Sequence, residues 1–172
     1  NGEDYVYIAF ALNENADIQN QQDFDAFKDD HIDRNDEFFK IFYNERLRFA
    51  NEQPQQWAAL NPLYDGMAAF LKTVPRNRFY IITTKKLVFV NKILHAHGLY
   101  FLNSNLHDTS PEQSKRDIIE SISNERQVDP KAFYFVDDQV DTLIKTRPAG
   151  INCVFAEWGY NNPAQKQTAN EN

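Results

Sequence analysis

The sequence predicts an α/β fold: a parallel sheet with helices on its faces, preceded by a small all-α insert. Three observations predict it. From Phe79 onward, short apolar runs alternate with amphipathic stretches of helical period. Residues 22–60 carry helical periodicity throughout. The apolar run Phe133 to Val136 delivers two adjacent carboxylates, Asp137 and Asp138, to what reads as the carboxyl end of a strand. In open parallel sheets, that end is where ligands bind.

The elements follow in order. Tyr5 to Leu12 is an unbroken apolar run. Within 22–60, Phe38, Phe39, Ile41, Phe42, Leu47 and Phe49 supply the apolar face of a helical stretch, which Pro54 breaks. Asp65 is placed to cap a helix from Gly66 to Thr73. Phe79 to Thr83 reads as a short buried strand. Thr84 then caps a helix from Lys85 to His97, and Gly98 ends it. Leu99 to Leu102 reads as a further short strand. Ser110-Pro111-Glu112-Gln113 has the form of a capping box ahead of a helix through Ile118, Ile119 and Ile122. The strand over 133–136, a helix over 141–148 closed by Gly150, and a strand over 151–155 complete the alternation. The polar residues Asn161 to Asn172 read as a frayed end.

Composition narrows the function classes. With 172 residues, 42% of them hydrophobic and 14% aromatic, the chain is long enough to bury one core and is not a disordered polypeptide. The formal net charge of −7 and the absence of a basic cluster argue against nucleic acid as a partner. No apolar run reaches membrane-spanning length. The lone Cys153 excludes a disulfide framework and fits a reducing, cytoplasmic setting.

Two carboxylates side by side repel unless a cation or proton sits between them, and oxygen ligands suit magnesium. Asp137 and Asp138 therefore suggest half of a phosphate and magnesium site. A hydroxyl at a strand end, as at Thr83, can donate to a phosphoryl oxygen. A lysine ammonium, as at Lys115, can neutralise one. Other candidates are weaker. Asp23 and Asp25 follow no apolar strand, and acids there favour a helix start. His95 and His97 are two apart on a predicted helix and so do not share a face. His31 and His107 have no partners at ligand spacing.

Several segments together resemble a known family. Asn61 to Gly66, Ile82-Thr83-Thr84-Lys85, Ser114-Lys115, Val136-Asp137-Asp138 and Glu157 to Tyr160 come in an order similar to the haloacid dehalogenase-like (HAD) hydrolase superfamily. The resemblance is to its phosphoglycolate-phosphatase-like branch with a small helical cap, over about Asn61 to Tyr160. It implies a three-layer Rossmann-like parallel sheet with a small all-α cap insert. Residues 1–13 and 61–166 would form the core, 14–60 the cap and 167–172 a tail, with 1–13 assigned alternatively to a cap helix. The resemblance implies that Thr83, Thr84 and Lys115 hold phosphate and that Asp138, with Asp137, holds magnesium. A companion acid expected four residues after Asp138 is replaced by Thr142, with Asp141 beside it.

The family's nucleophile lies in an Asp-x-Asp-x-Thr pattern on the first strand. If Tyr5 to Leu12 is that strand, Ala11 stands at the nucleophile, Asn13 at the acid-base and Asn15 at the Thr. A methyl group accepts no phosphoryl group and an amide shuttles no proton. The other placement puts the motif upstream of Asn1 and makes residues 4–12 a cap helix. Either way the expected function is a HAD-like protein with an incomplete active site. It would be catalytically silent and bind a small phosphorylated molecule or a protein partner. The alternative is a magnesium-dependent small-molecule phosphatase whose nucleophile lies outside this chain.

Overall fold

A computed structural model describes residues 2–171. It corrects the expected fold class. The chain is 59% helical and carries two separate two-stranded sheets in place of a single three-layer Rossmann-like sheet. It divides into two compact units.

The first unit runs to Ala68 and adds Asn91–Leu99. It is helical: α1 (Asp4–Asn13), α2 (Gln21–Asp30), α3 (Asn35–Glu52) and α4 (Pro54–Ala59). Helix α2 begins at Asn20, whose side chain accepts from Gln22 N and Asp23 N, as asparagine at an N-cap does. Pro54 opens α4 at its first turn, where its missing N–H costs nothing. The core is aromatic. Tyr7 and Phe38 are buried and meet edge to face at 4.7 Å, beside the buried Ala11, Ala50 and Trp57. A side chain the size of Phe38 contributes about 1.5–3 kcal/mol by leaving water. The Arg34 guanidinium lies 4.5 Å from the Phe10 ring centre and 4.6 Å from that of Phe38.

Residues 4–13 are therefore a helix and not a first strand. An unbroken apolar run satisfies either period, so pattern alone does not separate the two. Packing decides it here: Tyr7 and Ala11, one turn apart, share the buried face of α1 against α3.

The second unit comprises Ala69–Val90 and residues from Tyr100 onward. Its strands are β1 (Ile81–Thr83), β2 (Leu106–Asp108), β3 (Tyr134–Asp137) and β4 (Asn152–Phe155). Strand β1 pairs with β2 in parallel, Ile81 opposite Leu106 and Thr83 opposite Asp108. Strand β3 pairs with β4 in parallel, Tyr134 opposite Asn152 and Asp137 opposite Phe155. Among the described residues neither β1 nor β3 has a second partner. The helices are α7 (Lys115–Arg126), α8 (Val140–Thr146) and α9 (Pro163–Glu171); α5 (Met67–Thr73) and α6 (Leu87–Ala96) cross the unit boundary. Helix α7 packs on β1 and α8 and buries Ile118, Ile119 and Ile122.

Four local expectations change. Residues 99–102 form no strand. Ser110 to Gln113 is a bridged turn, and the capping box is Ser114 with Asp117. Helix α6 begins at Leu87, whose N–H donates to the Asp108 carboxylate, so Thr84 is not its cap. Residues expected to fray form α9, begun by Pro163 and tied by Asn162 Oδ1 to Gln165 N. Asn172 lies outside the described residues. No helix among the described residues is long and apolar enough to cross a membrane.

Candidate functional site

The carboxyl end of β3 gathers most of the expected site residues. Strand β3 ends at Asp137 because the chain turns there, with Asp137 Oδ1 accepting from Gln139 N at 2.9 Å. The other oxygen, Oδ2, accepts from Lys115 Nζ at 2.5 Å. The side chains are 6% and 18% exposed, so this pair is screened little by solvent. Lys115 is the first residue of α7, and the reciprocal Ser114–Asp117 cap fixes where that helix starts. Hydrogen bonds from the Ser114 hydroxyl and backbone hold the Asp117 carboxyl below the usual carboxylate range. The Lys115 ammonium also lies 5.9 Å from the centre of the Phe135 ring. Sequence and fold thus bring Lys115 to Asp137 from 22 residues away.

Asp138 has a different role from the one expected. Its Oδ2 accepts from Tyr160 N at 2.6 Å. A Cβ at Gly159 would stand 2.3 Å from Asp138 Cβ, so only glycine fits there. Gln139 joins the same clasp. Its Nε2 donates to Tyr160 O, and its Oε1 accepts from Gln165 Nε2 of α9 at 3.0 Å. The sequence reading missed Gln139, Gly159 and Tyr160 as partners of this turn. The glycine between two aromatic residues was the available signal.

These bonds bear on magnesium. Both oxygens of Asp137 are engaged, as is one of Asp138. No group of three or more His, Cys, Asp or Glu among the described residues could hold a metal ion. Asp141 is exposed, and Thr142 donates its N–H to Gln139 O and accepts from the Thr146 hydroxyl at its carbonyl. The charge that the structure sets beside Asp137 is the Lys115 ammonium.

Thr83 does end β1, as expected. Its Oγ1 accepts from Lys85 N at 3.1 Å, which leaves the hydroxyl proton free to be donated. Thr83 O accepts from Thr109 N at 2.9 Å, locking the strand end to the loop after β2. Thr84 is exposed. Neither threonine is part of the Lys115–Asp137 pair.

The remaining candidates fall elsewhere. Ala11 is buried inside α1 and Asn13 is its last residue, so neither stands at a strand end and neither marks a degenerate nucleophile. Asp23 and Asp25 lie in the first turns of α2. His31 bonds Phe27 O and packs on the rings of Phe10 and Phe27. His107 lies in β2 against the Tyr80 ring. Cys153, in β4, is set against Leu143 O, and burial pushes its thiol up.

No family model, curated protein or solved structure matches this chain.

Proposed function

We propose that the second unit binds a small phosphorylated ligand at the Lys115 end of β3 and that this chain alone does not hydrolyse it. The observation that carries the reading is the Lys115–Asp137 ion pair at the carboxyl end of a parallel strand. A lysine ammonium has three donors and Asp137 takes one of them. The pairing holds the ammonium in place without a metal, and a phosphoryl oxygen takes a remaining donor. The Thr83 hydroxyl, at the end of β1, is the second donor of this reading. The resemblance to HAD hydrolases lends support through Thr83 and Lys115 alone, since the acid it expects is Asp138 and the partner of Lys115 is Asp137.

Thermal unfolding with and without inorganic phosphate tests the reading. A ligand at 100 times its Kd adds about 2.7 kcal/mol, so the midpoint is expected to rise with phosphate and to stop rising in Lys115→Ala. Release of p-nitrophenolate from its phosphate ester by the 172-residue chain would overturn catalytic silence. A phosphate-independent midpoint in the unaltered protein would overturn the binding site and leave a protein partner as the better account.

One observation favours a second reading, a phosphatase whose aspartate nucleophile lies on polypeptide outside these 172 residues. Among the described residues, strands β1 and β3 each keep one free edge. An extended segment added to either edge would end beside Thr83 or Asp137. Hydrolysis gained by a longer encoded chain, and absent from this one, is its test.

A further inference from the structure

Helix α1 is apolar on every side. Between Asp4 and Asn13 it reads Tyr5-Val-Tyr-Ile-Ala-Phe-Ala-Leu12. A helix of that kind is normally buried all round, but α1 is fully buried on one face only, through Tyr7 and Ala11. On the other face Tyr5 is 70% exposed, Ile8 46% and Leu12 74%, and Ala9 among them is exposed as well. Spacings of three and four residues put these side chains in one stripe about two turns long. The Tyr5 ring stacks at 5.9 Å on Phe42 of α3, which extends the stripe onto the neighbouring helix.

Charge says what covers this face. The first unit holds 14 of the 25 Asp and Glu but only 6 of the 18 Lys and Arg, a net charge of −8 in a chain of −7. Glu3 stands at the N-cap of α1, the exposed Glu14 at its C-cap, and Asp17 follows, with no basic residue in the last turn. The C-terminal end of a helix is itself negative, so cations are drawn to the Leu12 end. On the α3 side the Arg46 guanidinium lies 5.7 Å from the Phe42 ring centre, which disfavours them there. A second copy of this chain would bring the same acids, and like charges set against each other cost affinity. We infer that the Tyr5, Ile8 and Leu12 face of α1 docks a basic amphipathic helix of a partner protein. That helix carries apolar residues at i, i+3, i+4 and i+7, and Lys or Arg where it passes Glu14. The surface belongs to the first unit and is independent of the phosphate reading.

Fluorescence anisotropy with the intact chain tests this with two synthetic peptides of about five helical turns. One is a Leu–Lys peptide patterned as such a helix, and the other is a Leu–Glu peptide with the same apolar face. The Leu–Lys peptide is expected to bind at least about tenfold more tightly than the Leu–Glu peptide. Ile8→Gln with Leu12→Gln changes no charge and should weaken the Leu–Lys peptide about tenfold, with the circular dichroism of the chain retained. Leu12→Gln alone, at a position 74% exposed, carries the same test should the double variant not fold. Glu14→Gln should weaken the Leu–Lys peptide about threefold or more. Equal binding of the two peptides, binding of neither, or apolar variants that bind as the unaltered chain does would each overturn the docking face. Self-association of the chain in sedimentation that the double variant abolishes would make a second copy the occupant. Binding to phosphatidylcholine vesicles in place of the peptide would make it a membrane. Either result overturns the basic helix.

Discussion

Lys115 Nζ sits 2.5 Å from Asp137 Oδ2, and the pair joins the first residue of α7 to the last residue of β3. Removing one partner leaves the other charge largely buried. Asp137→Ala is therefore expected to lower stability by about 3 kcal/mol, in the range for a broken buried pair. It also frees Gln139 N. Lys115→Met with Asp137→Leu should recover much of the loss, since apolar replacement of both charges removes two desolvation costs. Urea unfolding of the single and the double variant measures this. A loss under 0.5 kcal/mol in Asp137→Ala would contradict the burial described.

Gly159→Ala places a methyl 2.3 Å from Asp138 Cβ. The turn must open, which separates Tyr160 N from the Asp138 carboxylate. Forced repacking of this kind costs about 1–3 kcal/mol. Asp138→Gly in the same chain removes the colliding Cβ and should return part of that cost. Thermal melts of the single and double variants give the comparison, and an additive double variant would show that the two positions do not touch.

Gln127 ends α7 with a left-handed backbone, φ 53°. A side chain there costs energy that glycine does not incur, and helices commonly end on glycine for this reason. Gln127→Gly is expected to raise stability by about 1 kcal/mol, the difference between a strained and an unstrained left-handed residue. The midpoint of chemical unfolding reports it, and a fall in midpoint would speak against the left-handed cap.

The Ser114–Asp117 cap makes stability pH-dependent in acid. The folded Asp117 carboxyl titrates below its ordinary value of 3.8 because the Ser114 hydroxyl and backbone N–H bond its ionised form. A depressed folded value means a contribution fully present above the unfolded value. That contribution is lost as pH falls through the folded one. Between pH 5 and pH 2, Asp117→Asn should therefore lose less stability than the unaltered chain. Parallel acid titrations followed by circular dichroism check the sign, and identical curves would remove Asp117 from the account.

The helical character of residues 22–60 was legible from their apolar spacing and from Pro54, but of the face expected there Phe38 is buried while Phe39, Ile41 and Leu47 are exposed. The strand ends were also legible: Thr83 ends β1, and Asp137 ends β3 one residue beyond the expected Val136. Tyr5 to Leu12 left strand and helix open because an unbroken apolar run has no period, and the helix of the second placement is the one found, with Tyr7 packed on Phe38. The capping box was misplaced because Ser110 and Gln113 match the glutamine form, while Ser114 uses Asp117. The separate partners of Asp137 and Asp138 were not legible at all. It depends on Lys115 and Tyr160, each 22 residues distant, and adjacent carboxylates look alike until their partners are known.

The short parallel pairs have one more consequence. In each, alternate backbone amides face away from the partner strand, and Tyr134 and Val136 add exposed apolar side chains to β3. Such a border is a template on which another extended chain can grow. At high concentration or partial unfolding, this strand is where intermolecular templating would begin, and its length of only four residues limits how far that growth can register.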